Sequence, residues 1–316
     1  MRPMNIDPTF APYLAEVVSG RPIPLHLADV AQRRAAMRAL RRAVAPAPPP
    51  DVRIERRSAP GPAGDIPLRL YRPAGPSGAL PGVLYVHGGG WMYGSAEQSE
   101  PTAIRFCRGG ECVVVSPDYR LTPEHPFPAG LDDCYAAIEW LAAEADALGV
   151  DRGRLAVMGD SSGANLAAGC CFEARARGGP PLRGQVLNYP ALGLDFETAS
   201  YVENADAPVL CRDEMIYFWK HYVGPDLACR DPRAVPLAAA DFRGLPPAYV
   251  TTAEYDPLRE DGRRYAMALA AAGVPAESRN AERLTHGFLR GWSVSRDAAA
   301  FGESICGALR RLLAAR

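Results

Sequence analysis

Leu155-Ala156-Val157-Met158-Gly159-Asp160-Ser161-Ser162-Gly163 runs without a break into Ala164-Asn165-Leu166-Ala167-Ala168. An apolar run of strand character ends in G-x-S-x-G, and a run of helix formers follows. The pattern reads as strand, sharp turn, helix, with Ser161 at the apex. Such a turn is crowded, so small residues must stand two positions either side of the serine. It lifts the Oγ clear of the sheet and leaves a helix N-terminus beneath it, which favours negative charge. On its own the pentapeptide is an ordinary glycine-bounded turn, and the rest of the chain has to decide what it is.

Upstream, Gly82-Val83-Leu84-Tyr85-Val86-His87-Gly88-Gly89-Gly90-Trp91 repeats the theme of an apolar strand ending in glycines. Three glycines in a row let backbone N–H groups approach a reacting centre without Cβ atoms in the way. Donors aimed at a developing oxyanion are each worth about 3–4 kcal/mol in the transition state. Downstream, the strand-like Pro247–Ala253 closes on Glu254-Tyr255-Asp256-Pro257-Leu258, and Thr285-His286-Gly287-Phe288 sets a histidine on a glycine-containing loop. Of the five histidines, His26, His87, His125, His221 and His286, only His286 follows Asp256 in the chain. Serine, then acid, then histidine is the order that a nucleophile-elbow fold requires. The expected catalytic residues are therefore Ser161, Asp256 and His286. Ser162 is the rival nucleophile, but it would start the helix and lacks the symmetric glycine spacing. His87 is the rival base, but it precedes the glycine loop and is better suited to supporting that loop's shape.

With these motifs in hand the chain resembles the hormone-sensitive-lipase-like esterases, the bacterial family IV lipolytic enzymes, from about residue 25 to 315. The resemblance also rests on Asp118-Tyr119-Arg120-Leu121-Thr122-Pro123-Glu124-His125-Pro126-Phe127-Pro128-Ala129, on Asn188-Tyr189-Pro190 and on Ala253–Arg259. Two departures are Ser162, where the family usually carries alanine, and Ala164, where a second glycine is common. Both residues are small, and the residue after the nucleophile offers only its N–H. The resemblance implies an α/β-hydrolase fold, a mostly parallel eight-stranded sheet flanked by helices, with a helical cap. It implies an oxyanion hole from Gly88, Gly89, Gly90 and Ser162, with Gly89 and Gly90 favoured over Gly88 as loop donors. His87, Trp91, Glu124, Asp160, Tyr189 and Phe218 are expected around the site or along its pocket. Glu124 is expected to support the loop or a water, without being the acid of the triad.

Composition agrees with a soluble enzyme. A chain of 316 residues is long for one domain, yet α/β folds of this size commonly form a single one. The net charge of −1 offers no grip on nucleic acid or anionic membranes, and Lys220 is the only lysine. No stretch reaches 18 apolar residues, and the N-terminus has no apolar run of signal-peptide type, so neither integral membrane association nor export is expected. A cytoplasmic location is the expectation, with a homodimer left open. The eight cysteines (107, 112, 134, 170, 171, 211, 229 and 306) include no C-x-x-C pair and read as small buried thiols. No metal ligand set, phosphate loop or dinucleotide fingerprint is present, and no cofactor is expected.

Strands are expected near 52–58, 66–72, 83–87, 112–116, 155–158, 184–188, 247–252 and 275–281, the later ones alternating with helices, as in a mostly parallel sheet. In the N-terminal stretch Leu27, Val30, Met37, Leu40 and Val44 recur at helical spacing, with Arg33, Arg34, Arg38, Arg41 and Arg42 between them. A basic amphipathic helix of this kind suits a membrane or a partner. The resemblance favours a cap, made of residues 1–45 and 195–230, over a core of 46–194 and 231–316. Ala45–Pro50 would be a stiff linker. The second cap part holds Tyr201, Met215, Ile216, Tyr217, Phe218, Trp219, His221 and Tyr222, and its aromatic residues would line an acyl or alcohol pocket, unless they simply pack.

The function expected is hydrolysis of short- to medium-chain carboxylic esters through an acyl-enzyme. An amidase, lactonase or deacetylase could use the same triad. A non-catalytic small-molecule receptor is the remaining class, disfavoured because serine, acid and histidine are all present. No large apolar lid of the interfacial lipase kind is found.

Overall fold

A computed structural model describes residues 4–20, 24–44, 49–75 and 78–314 of the chain. In β3 (Leu80–Val86), Val83 and Tyr85 enter one apolar cluster while Leu84 and Val86 enter a second one. The same alternation separates Val114 from Val113 and Val115 in β4 (Val113–Pro117), and Ala156 and Met158 from Leu155 and Val157 in β5 (Val150–Asp160). Side chains two apart share a face of a strand, so these runs bury both faces of one sheet. The sheet is completed by β1 (Val52–Gly61), β2 (Gly64–Pro73), β6 (Leu182–Asn188), β7 (Ala248–Tyr255) and β8 (Ala276–Thr285), in the order β1-β2-β4-β3-β5-β6-β7-β8. β1, β2 and β4 pair antiparallel; β4, β3 and β5 to β8 run parallel. All eight expected strands are present, and the fold is the expected α/β-hydrolase one.

One face is covered by α4 (Ala129–Ala143), α5 (Ser162–Arg177) and α8 (Arg259–Ala271), and the other by α3 (Glu100–Gly110) and α9 (Arg296–Leu312). Strand order reverses at β3, which lies between β4 and β5, and a crevice at the carboxyl ends of such strands is where open α/β sheets bind ligands. Gly88, Ser161, Asp256 and His286 all follow the carboxyl ends of strands, β3, β5, β7 and β8.

The N-terminal stretch is not one helix. It comprises α1 (Ala11–Ser19), a 3-10 turn at Leu25–Leu27 and α2 (Val30–Val44). Leu27 lies in the turn ahead of α2 and is 68% exposed, so its place in the apolar stripe is corrected, while Val30 and Met37 do pack inward. The side chains of Leu40, Arg41, Arg42 and Val44, and residues 45–48 of the expected linker, lie outside the described residues. The 195–230 excursion carries α6 (Ala199–Glu203) and α7 (Arg212–Val223), and α7 packs against the 3-10 turn. Among the described residues no helix is long and apolar enough to cross a membrane.

Candidate active site

Ser161 takes a backbone conformation that L-residues avoid, φ 56° and ψ −120°. Strain of this kind costs about 1–3 kcal/mol and persists only where the surroundings impose it. Here its N–H donates to the Asn188 carbonyl at 2.8 Å, and both flanking glycines are needed for contact. A Cβ on Gly159 would lie 2.2 Å from the Gly163 carbonyl oxygen, and one on Gly163 2.2 Å from that of Val86. Helix α5 starts at Ser162, one residue past the apex, as expected.

The imidazole of His286 bridges two groups from other strand ends. Its Nε2 is 3.0 Å from Ser161 Oγ and its Nδ1 is 2.7 Å from Asp256 Oδ2. Asp256 is fully buried, and its Oδ1 accepts the Leu258 N–H at 2.9 Å. The ring of Tyr189 stands edge-on to His286, with centroids 4.9 Å apart. The carboxylate thus fixes the ring so that Nε2 faces the hydroxyl without a proton, the arrangement a general base requires.

Across from Ser161 lies the glycine loop, where a Cβ on Gly88 would come within 3.2 Å of Ser161 Cβ. Gly90 has φ 61° and packs beneath Phe218, whose ring atoms lie 2.6 Å from the place of a Cβ. Among the described residues the N–H groups of Gly89, Gly90 and Ser162 have no acceptor. Trp91 anchors the loop by stacking on Tyr222 at 4.3 Å, with its Nε1 donating to Asn165 Oδ1 at 3.3 Å. His87 stacks on Tyr119, and its Nδ1 donates to the Gly88 carbonyl at 3.0 Å. Burial lowers its pKa, and its ring is engaged by Tyr119 and the Gly88 carbonyl while His286 meets Ser161 Oγ, which suits a loop support.

Asp160 is also buried, and burial raises its pKa against the hydrogen bonds from Asn188 Nδ2 and the Tyr85 hydroxyl. Both of its oxygens are engaged there, away from His286 Nδ1. Glu124 is apart from this group: it is half exposed and pairs with Arg34 of α2. Arg34 also donates to the carbonyls of Met92 and Thr122, so Glu124 bears on the loop only through that arginine, which holds α2 against it. Arg34, Asn165 and Tyr85 carry no motif of their own; each acts on a partner more than 50 residues away, which spacing does not reveal.

A cavity of about 500 Å³ opens onto Ser161 and His286. Its walls come from Tyr13, Leu25 and Met37 on one side and Val209, Leu210, Met215 and Phe218 on the other. Of the aromatic residues expected to line a pocket from the excursion only Phe218 does so; Tyr201, Trp219 and Tyr222 are packed in the core. The thiols are free, six of them buried, while Cys211 and Cys229 are half-buried.

The α/β-hydrolase fold family model matches residues 83–290. The chain belongs to this family, in its hormone-sensitive-lipase-like branch of carboxylic ester hydrolases. A carboxylesterase of Mycobacterium tuberculosis, NlhH, is 47% identical over 211 residues, which cover 66% of this chain and 66% of that protein. A thermostable esterase from Pseudomonas putida is 32% identical, with a TM-score of 0.93 and both chains covered completely. A hyperthermophilic esterase from Pyrobaculum calidifontis is 36% identical, with a TM-score of 0.90 over 99% of this chain and all of that one.

Proposed function

We propose that the protein is a serine carboxylesterase acting on short- to medium-chain esters through an acyl-enzyme. The observation that carries this reading is the Ser161–His286–Asp256 line, 3.0 and 2.7 Å in its two links, at the floor of a cavity of about 500 Å³. Ser161 Oγ attacks the ester carbonyl as His286 Nε2 takes its proton. Asp256 holds the tautomer and stabilises the imidazolium. The oxyanion is met by the N–H groups of Gly89, Gly90 and Ser162, which have no other acceptor among the described residues. His286 then gives its proton to the leaving alcohol, and water repeats the sequence on the acyl-enzyme.

Residues 1–45 and 195–230 act as the cap. The wall of the cavity supports this, because Leu25, Met37, Leu210, Met215 and Phe218 all face it. Apolar burial stabilises a bound acyl chain by about 25 cal/mol per Å² until the chain outgrows the space. Nitrophenyl esters from acetyl to palmitoyl, with an amide and a lactone alongside, test the reading. Activity should rise and then fall with chain length, peak well below palmitoyl, and vanish in Ser161→Ala. A serine-directed phosphonate should label the Ser161 peptide once. Preference for the amide or lactone, or labelling at Ser162, would refute it.

A further inference from the structure

Helix α7 opens on Cys211, and Glu214 turns back to accept the Cys211 N–H on Oε2 at 3.1 Å, forming a capping box. Its other oxygen leaves the helix and accepts the Leu25 N–H at 2.9 Å, in the 3-10 turn of the N-terminal segment. This brings His26 alongside. A ring nitrogen of His26, Cys211 Sγ and a carboxylate oxygen of Glu214 all lie within 4.8 Å of one another. Among the described residues no other three His, Cys, Asp or Glu side chains gather in this way.

Helix capping explains Cys211 and Glu214, whose two oxygens each accept a backbone N–H, but it leaves one cost. His26 Nδ1 is buried with no hydrogen-bond partner, which costs about 1–3 kcal/mol. Glu214 is buried and no ion pair to it is formed among the described residues. A bound cation would satisfy the imidazole and meet that carboxylate at once.

We propose that His26, Cys211 and Glu214 form a binding site for a divalent metal ion of the zinc class. One imidazole nitrogen, one thiolate and one carboxylate suit a borderline ion; calcium and magnesium prefer oxygen donors alone. Metal–ligand bonds of about 2.0–2.3 Å require the three atoms to draw in to about 3.5 Å, a matter of side-chain rotation. The Cys211 thiol gives its proton to solvent as the metal–sulfur bond forms, and nothing is oxidised or reduced. Three protein ligands leave a fourth position to water. The ion would pin the 3-10 turn to α7, and Leu25, Leu210 and Met215 beside it line the cavity above Ser161. Metal would thus stiffen one wall of the pocket, whatever that pocket hydrolyses.

The test uses the full chain freed of metal with a chelator. Zn²⁺ is titrated by calorimetry, and Co²⁺ is followed through its thiolate charge-transfer absorption. One equivalent should bind. Changes outside the ligand set already cost a metal site about 10–100-fold, so Cys211→Ser or His26→Ala should weaken Zn²⁺ by about 100-fold or more. Ser161→Ala should bind as the unaltered protein does. Zn²⁺ should also slow alkylation of Cys211 and leave Cys229 untouched, a readout that needs no variant. A missing Co²⁺ band, an affinity unchanged in the His26→Ala, Cys211→Ser double variant, or equal alkylation with and without Zn²⁺ would each overturn the proposal.

Discussion

Asp256→Asn replaces one oxygen by an amide nitrogen and should lower kcat/KM about 10⁴-fold, or about 5.4 kcal/mol at 1.36 kcal/mol per decade. The two hydrogen bonds at Asp256 say how that loss divides. If the amide oxygen keeps the Leu258 N–H at 2.9 Å, the amide nitrogen donates to His286 Nδ1 across 2.7 Å. The ring proton must then sit on Nε2, aimed at Ser161 Oγ, and the ring is no longer a base. In the flipped amide the tautomer is right, but the nitrogen faces the Leu258 N–H in a fully buried place, a cost of about 1–3 kcal/mol. A penalty of that size leaves about one molecule in six to about one in 160 in the competent state. The remaining 3 kcal/mol or so has to come from the lost negative charge opposite the imidazolium. Hydrolysis of p-nitrophenyl butyrate, with sites counted by a fluorophosphonate and the fold checked by thermal melting, measures the total. A properly folded variant within about fivefold of the unaltered protein would refute the reasoning, because even the tautomer term would then be missing.

Three further outcomes are expected. Gly163→Ala puts a Cβ 2.2 Å from the Val86 carbonyl and 2.4 Å from that of His87, both backbone, so a sharp drop in melting temperature with loss of activity is expected; an active, stable variant would show that the elbow relaxes. Phe218→Ala opens the cavity above Gly90 and should raise KM for butyryl esters while moving the optimum to longer chains, and an unmoved chain-length profile would remove Phe218 from the pocket wall. Burial pushes the Asp261 carboxyl up to about 7 from 3.8, against two N–H bonds from Leu192 and Gly193. A raised folded pKa gives stability that is full below about 4 and lost as pH climbs through 7, so Asp261→Asn should gain on the unaltered protein between pH 5 and 8; a constant difference in melting temperature across that range would contradict it.

The elements that could be read from the sequence were those whose physics is local. The elbow announces itself because Gly159 and Gly163 must both lack a Cβ within five residues of chain. The strands show because both faces are buried and the apolar runs are continuous. Asp256 and His286 could be picked out only because chain order narrowed five histidines to one. What escaped depends on partners far apart in sequence. Nothing near Asn165 says that its amide joins Trp91 to the carbonyls of Ala191 and Ala234. Helical spacing put Leu27 on the stripe of α2, but Pro24 and the 3-10 turn change the phase before the helix begins. The excursion's aromatic residues were ambiguous for the reason foreseen: Trp219 and Tyr222 pack around Trp91 and hold the loop from behind, leaving Phe218 to face the cavity.

The N-terminal segment also divides in a way that bears on catalysis. Its first part docks on the catalytic core: Asp7 N–H donates to the Arg283 carbonyl, the Ser295 hydroxyl donates to Asp7 Oδ2 at 2.7 Å, and Phe10 packs on Gly291. Those contacts bracket His286 in the chain. Phe10 and Leu14 share an apolar cluster with Phe288, Leu289 and Trp292, so α1 helps hold the loop that carries the histidine. The second part, from Leu25 to Met37, lies along the cavity, tied to α7 through Glu214 and to the glycine loop through Arg34. Tyr13 of α1 also lines the cavity, so loss of the first part should lower kcat and shift KM as well, whereas loosening of the second should show in KM and chain-length preference alone. A cap boundary drawn at residue 45 thus joins contacts that steady the histidine loop to contacts that line the cavity.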